Sequence, residues 1–226
     1  MYWDSTIIIL IPAIIFSIVA QIMVKSAFSK YSKVRNSRGL TGADAAREIL
    51  DRNGLSNVRI EHISGSLTDH YDPKANVIRL SDDVYGSATV AAVGVAAHEA
   101  GHAVQYAEGY YPIKIRNAII PVTRFGSSLS TPLVILGLVL SWDFLITAGI
   151  LLFCAVVLFQ AITLPVEFNA SGRALKTLRS SHFLEDDEMK GARSVLTAAA
   201  MTYVAAMLSA LLSLVRLLVI LGRRRR

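Results

Sequence analysis

Ser87 to Glu108 reads SATVAAVGVAAHEAGHAVQYAE, and Gly109 follows directly. The stretch is rich in Ala, Gly and Val, holds no proline and ends on a glycine, a pattern that predicts a buried helix. In its middle stands His98-Glu99-Ala100-Gly101-His102. At about 100° per residue the two histidines lie about 40° apart on one face and one turn apart along the axis, where two imidazoles can grip one Zn²⁺. Glu99 is offset around the helix, so it misses the metal but can take a proton from an attacking water and return it to a leaving amine. Chance polar residues on a core helix explain this poorly. Burying two imidazoles and a carboxylate without partners costs about 1–3 kcal/mol per group.

Outward from this helix the chain alternates between two compositions. Of 226 residues, 18% are charged and 53% hydrophobic, with 23 Lys+Arg against 17 Asp+Glu and a net charge of +6; the mean hydropathy is +0.48. A soluble domain usually carries about 25% charged residues. The balance excludes a disordered chain and argues against an ordinary soluble domain, leaving a membrane protein with a water-facing part. Cys154 is the single cysteine, so an intramolecular disulfide and a four-cysteine zinc site are both excluded. Any metal must be held by His and carboxylate. The pI of about 9.6 does not point to nucleic acid, because the basic residues flank apolar spans and form no stripe interleaved with aromatics. The expected partners are a lipid bilayer and a peptide or membrane-protein substrate, with an adaptor or a second copy of the chain left open.

The first apolar run, Thr6 to Val24, is long enough to cross the roughly 30 Å hydrocarbon core. Met1 to Asp4 lacks the basic start of a signal peptide, so residues 1–25 are expected to remain as an anchor. Residues 26–128 form the catalytic lobe. Within it Thr41 and Asp44 open a helix over about 42–53 as a capping box, and Asn57–Ile63 and Asn76–Leu80 read as strands. Residues 129–164 read as a transmembrane hairpin turning at Ser141-Trp142-Asp143, 165–194 as a return segment, and 195–226 as a last membrane helix with a basic tail. The expected fold is therefore a mostly helical α+β membrane protein with a small antiparallel β-sheet and about four transmembrane helices. Lys25, Lys30, Lys33, Arg35, Arg38 and further basic residues lie on the lobe's side, which places the lobe in the cytoplasm of a multi-pass cell-membrane protein. Arg223 to Arg226 count against a simple four-span topology, so either the tail is outside or the last segment does not cross fully.

A catalytic zinc site needs a third protein ligand. Glu108 stands six residues after His102, but position 105 is Gln where a turn-forming glycine is required, and a continuing helix points Glu108 away. His70 lies in a turn-rich loop that suits substrate or oxyanion contact as well as ligation; His62 reads as a strand-face residue and His182 as a loop residue. Glu167, two residues past Pro165, is the strongest choice. With a helix starting near Pro165, Ser171 lies one turn beyond Glu167 and can support it.

His98 to His102, Leu67-Thr-Asp-His-Tyr-Asp72 followed by Val77-Ile-Arg-Leu-Ser81, and Pro165-Val-Glu-Phe-Asn-Ala-Ser171 with Arg173-Ala174 resemble the YugP-type membrane zinc metallopeptidases over nearly the whole chain. More distantly the chain is similar to the heat-shock membrane protease HtpX and its gluzincin relatives. That resemblance implies a zincin-like lobe, Zn²⁺ on His98, His102 and Glu167, and Glu99 as general base. Those relatives usually carry an Asp where this chain has Ser171, leaving Asn169 or Arg173 to orient a ligand histidine. Function is thus read as peptide hydrolysis at a bilayer surface. The peptide is expected to add as a strand along Asn76–Leu80, with His70, Tyr71 or Arg173 stabilising the oxyanion. Two other readings stand beside it. A site-2-type intramembrane protease needs its HExxH helix in the membrane, yet only about 14 apolar residues precede His98. A non-enzymatic membrane scaffold needs a closed site with four protein ligands.

Overall fold

Thr41 Oγ1 accepts the backbone N–H of Asp44 and the Asp44 carboxylate accepts that of Thr41, both at 3.1 Å. This reciprocal cap starts a helix over Gly42–Arg52. The computed structural model describes residues 5–224; the Met1–Asp4 start and the last two arginines of the basic tail lie outside them. A 3-10 turn leads into α1 (Ile11–Tyr31), followed by α2 (Gly42–Arg52), β1 (Arg59–His62), β2 (His70–Asp72), β3 (Val77–Leu80) and the short α3 (Asp82–Tyr85). The HExxH motif lies on α4 (Val90–Ala107), after which α5 (Tyr111–Val139), α6 (Asp143–Ser180) and α7 (Asp186–Arg224) follow.

The sheet is mixed rather than antiparallel. Its order is β1-β3-β2, with β1 parallel and β2 antiparallel to β3. Only the β2–β3 pair is a local hairpin, closed where Asp72 Oδ1 accepts the N–H groups of Lys74 and Ala75. β1 reaches β3 through a long connection, and no turn signal encodes that pairing. Because β3 is the central strand, its backbone is occupied on both edges, so the peptide expected along Asn76–Leu80 has no place there. The free edges belong to β1 and β2.

Among the described residues four helices are long and apolar enough to cross a membrane: Ser5–Tyr31, Tyr111–Val139, Asp143–Ser180 and Asp186–Gly222. α4 is not among them. Two of the four reach beyond the hairpin expected at 129–164, α5 beginning at Tyr111 and α6 ending at Ser180. α5 runs through Pro121 and Pro132, and α6 runs through Pro165, so no new helix begins there. A proline inside a helix forfeits one hydrogen bond and costs about 3 kcal/mol. Long apolar helices absorb that loss where neighbouring groups satisfy the freed carbonyls.

The chain divides into two compact units. One comprises the residues up to Ala20, Pro112–Pro165 and those from Thr202 on. In it α5 and α6 approach closely, since a Cβ on Gly149 would stand 2.7 Å from the Ser130 carbonyl oxygen. Ser17 Oγ and Ser209 Oγ are 3.3 Å apart, and Arg216 Nε donates to Thr6 Oγ1 at 3.1 Å. The other unit is Gln21–Tyr111 with Val166–Met201. Its axis is α4, whose Ala91, Ala92, Val93, Ala96, Ala97 and Ala100 are wholly buried. Ile49 and Leu50 of α2, Ile78 and Leu80 of β3, Leu178 of α6 and Ala192 of α7 belong to the same core. A helix apolar on every side is stable only when surrounded in this way.

Candidate metal centre

The local sequence of α4 decides how near α6 can come. Gly101 has no side chain, and a Cβ built on it would stand 2.8 Å from the carbonyl oxygen of Ala170. Backbone therefore lies on backbone at this crossing. Glu167 sits almost one helical turn before Ala170 and is brought against the two histidines, although 65 residues separate it from His102 in the chain.

His98 Nε2 lies 3.2 Å and His102 Nε2 3.5 Å from the same oxygen, Glu167 Oε2. The imidazole centroids are 4.7 Å apart with planes at 82°, so the two rings meet edge to face, each with its Nε2 near the carboxylate. Ligand atoms of these three residues all lie within 4.8 Å of one another. Four ligands around a tetrahedral ion at about 2.05 Å are spaced about 3.3 Å apart. The two measured separations match that spacing, and two imidazole nitrogens with one carboxylate oxygen are a donor set that zinc takes. The burial argues the same way. Glu167 is only 1% exposed, and desolvating a lone carboxylate costs several kcal/mol. Partners of positive character are required there, whether imidazolium or a cation.

Each histidine is held from behind. Ser171 Oγ is 3.1 Å from His98 Nδ1, and Gln105 Oε1 is 3.0 Å from His102 Nδ1. Both Nε2 atoms are left to face Glu167. Burial alone pushes His102 down, but the Glu167 and Glu99 carboxylates more than offset this and hold it above the usual histidine value.

Glu99 is outside the group of three. It is buried, and its Oε2 accepts the backbone N–H of Tyr71 at 2.9 Å. The free edge of β2 thereby fixes the carboxylate one position along α4 from His98. Burial pushes the Tyr71 phenol up, with Tyr106 and Asp72 adding to the effect, and its O–H donates to Asn76 Oδ1 at 3.2 Å. Asp69 is also raised by burial, although the N–H and O–H of Ser81 donate to it.

The other residues singled out in the sequence fall elsewhere. The His70 ring is exposed, with Nδ1 2.9 Å from the Thr68 carbonyl and Nε2 3.4 Å from an Arg79 nitrogen. Alternation along β2 puts it on the opposite face from Tyr71. His62 pairs with Asp82 at 2.7 Å, and His182 sits in a turn at φ 50°. Arg173 Nε donates to Asn169 Oδ1 at 2.7 Å and its guanidinium pairs with Glu108 at 2.6 Å. Neither Asn169 nor Arg173 has a hydrogen bond to a ligand histidine. The group that does touch His102 is Gln105, the residue whose only reading in the sequence was the absence of a glycine. Its position three residues beyond His102 on one helix face is the signal that marks it.

The family model described as "Putative neutral zinc metallopeptidase" matches residues 6–222. The chain is 49% identical over 214 residues, 95% of each chain, to the "Putative membrane protease YugP" of Bacillus subtilis (strain 168). No solved structure matches.

Proposed function

This chain belongs to the family described as "Putative neutral zinc metallopeptidase", and from that premise we propose that it is a membrane-anchored zinc metalloendopeptidase of the gluzincin kind. His98, His102 and Glu167 are the zinc ligands and Glu99 is the general base. The observation that carries this reading is the convergence of two imidazole Nε2 atoms on one buried carboxylate oxygen, at the spacing of a tetrahedral ion's ligands. When bound, zinc supplies Lewis acidity, which polarises a peptide carbonyl and lowers the pKa of water toward about 7. The remaining work falls to the chain's own groups. Glu99, oriented by the Tyr71 N–H, takes the proton from the attacking water and delivers it to the leaving amine. Ser171 and Gln105 keep the two imidazoles aimed.

The outer edge of β2 lies beside Glu99, which keeps the Tyr71 N–H, so an extended peptide laid along that edge would run past the base. Of the three oxyanion candidates, Tyr71 is the one whose backbone lies beside Glu99. Four helices of membrane-spanning length, together with the basic residues flanking them, support peptide or membrane-protein substrates met at the cytoplasmic bilayer surface. The test is Glu99→Gln in detergent-purified protein, read both as zinc content and as hydrolysis of an unstructured peptide. Full zinc with hydrolysis lost supports the reading, whereas wild-type hydrolysis rules out Glu99 as base.

A further inference from the structure

We propose that Gln105 is a positioning residue that locks His102 in the Nδ1–H tautomer, and that Asn169 and Arg173 hold Gln105 in the one orientation able to do so. This rests on the zinc-ligand role of His102 and identifies which residues make it a competent ligand.

Gln105 is completely buried. Its side-chain nitrogen donates to the carbonyl oxygen of Val166 at 2.9 Å and to Asn169 Oδ1 at 2.8 Å. An amide nitrogen has two hydrogens, and both are used. The carbonyl of Val166 can only accept, so reversing the amide would set two oxygens against each other at that contact. Arg173 supplies a second, independent anchor. Its Nε lies 2.7 Å from Asn169 Oδ1, and a guanidinium can only donate, so the atom of Asn169 facing it must be oxygen. The Glu108 carboxylate, 2.6 Å from Arg173, holds the guanidinium in turn. Gln105 Oε1 is therefore the atom presented to His102 Nδ1, at 3.0 Å.

An amide oxygen has no hydrogen to give. The Nδ1 atom must carry the proton, which in a neutral imidazole leaves the lone pair on Nε2. That is the nitrogen facing Glu167. Along Glu108–Arg173–Asn169–Gln105–His102 each role is thus fixed by groups that cannot reverse: Arg173 donates to Glu108 and to Asn169, Gln105 donates to Asn169, and His102 donates to Gln105. His98 lacks such a device, because the hydroxyl of Ser171 can donate or accept.

The test is a competition titration of the full-length, detergent-purified protein with Zn²⁺ and a chelator of known affinity. Four proteins are compared: wild type, Gln105→Leu, Asn169→Leu and Asn169→Asp. Thermal unfolding of each metal-free protein checks the fold. Leucine at 105 fills the space without an acceptor, and leucine at 169 removes the acceptor that aligns Gln105. Both are expected to weaken zinc binding about 10- to 100-fold. Aspartate at 169 still accepts from Gln105 and Arg173, so it is expected to bind zinc close to wild type. A purely packing role predicts instead that Asn169→Asp, which places a charge there, does no better than Asn169→Leu. Wild-type affinity in Gln105→Leu, or equal losses in the two Asn169 variants, overturns the proposal. Should Gln105→Leu not fold, the Asn169 pair decides alone. A wild-type protein that binds no zinc overturns the metal-site reading itself, a distinct result.

Discussion

Replacing Gly101 with alanine adds one methyl group at the point where α4 and α6 touch. That methyl would stand 2.8 Å from the Ala170 carbonyl oxygen and 3.5 Å from the same residue's Cα, whereas ordinary contact begins at 3.4 Å. The neighbour is backbone and cannot rotate away, so α6 must retreat by about 0.6 Å. Overpacking of this kind costs about 1–3 kcal/mol of stability. The functional cost follows from where α6 is displaced. Glu167 lies within one turn of Ala170, and a site whose donors are spaced 3.2 and 3.5 Å apart has little slack for a shift of that size. Ligand and reacting groups need to be held within about 0.5 Å, and a misplacement near 1 Å can cost about 100-fold. Zinc affinity and peptide hydrolysis are therefore both expected to fall by at least about tenfold. The control is Gly172→Ala on α6, where nothing lies within 4 Å of the added atom. There the same change should leave zinc binding intact and raise the unfolding temperature slightly, because alanine is favoured over glycine in a helix by about 1 kcal/mol. Zinc titration, hydrolysis and thermal unfolding of the two variants side by side make the comparison. Wild-type zinc affinity in Gly101→Ala would refute the idea that the bare crossing sets the position of Glu167.

Ser171→Ala removes the group behind His98 Nδ1 and should weaken zinc binding about tenfold in a chelator competition without abolishing it; an unchanged affinity would deny the hydroxyl that role. Because His102 is held above its usual value in the metal-free protein, its protonation stabilises that form fully below about pH 6.5, and the contribution is lost as pH rises through the raised value. Zinc binds the deprotonated ring, so with chelator present the unfolding temperature should decline across that window while the increment from added zinc grows; parallel curves would contradict this. Cys154, the single cysteine, lies in α6 within the run of apolar residues. In sealed membranes it should resist a membrane-impermeant thiol reagent and react once the protein is denatured, and rapid labelling in intact membranes would contradict the span.

The features legible in the sequence were those encoded over a few residues. The HExxH spacing on one helix face and the Thr41–Asp44 cap each involve neighbours in the chain, and each stands where local rules put it. Glu167 could be singled out because it is an isolated carboxylate at the end of an apolar run. Three kinds of feature escaped. The parallel pairing of β1 with β3 depends on a connection that carries no turn signature. Pro165 gives the same signal at a helix start and in the interior of a long helix, and only packing distinguishes them. Gln105 escaped for a third reason, since its function is defined by Val166 and Asn169, acceptors about 60 residues away.

Whether one ion is held by His98, His102 and Glu167 is tested most directly by elemental analysis of purified wild-type protein beside Glu167→Ala. The expected result is close to one zinc per chain in the wild type and little or none in the variant, with both proteins folded. Equal zinc in the two, or a folded wild type that takes up no zinc when it is supplied, would contradict it.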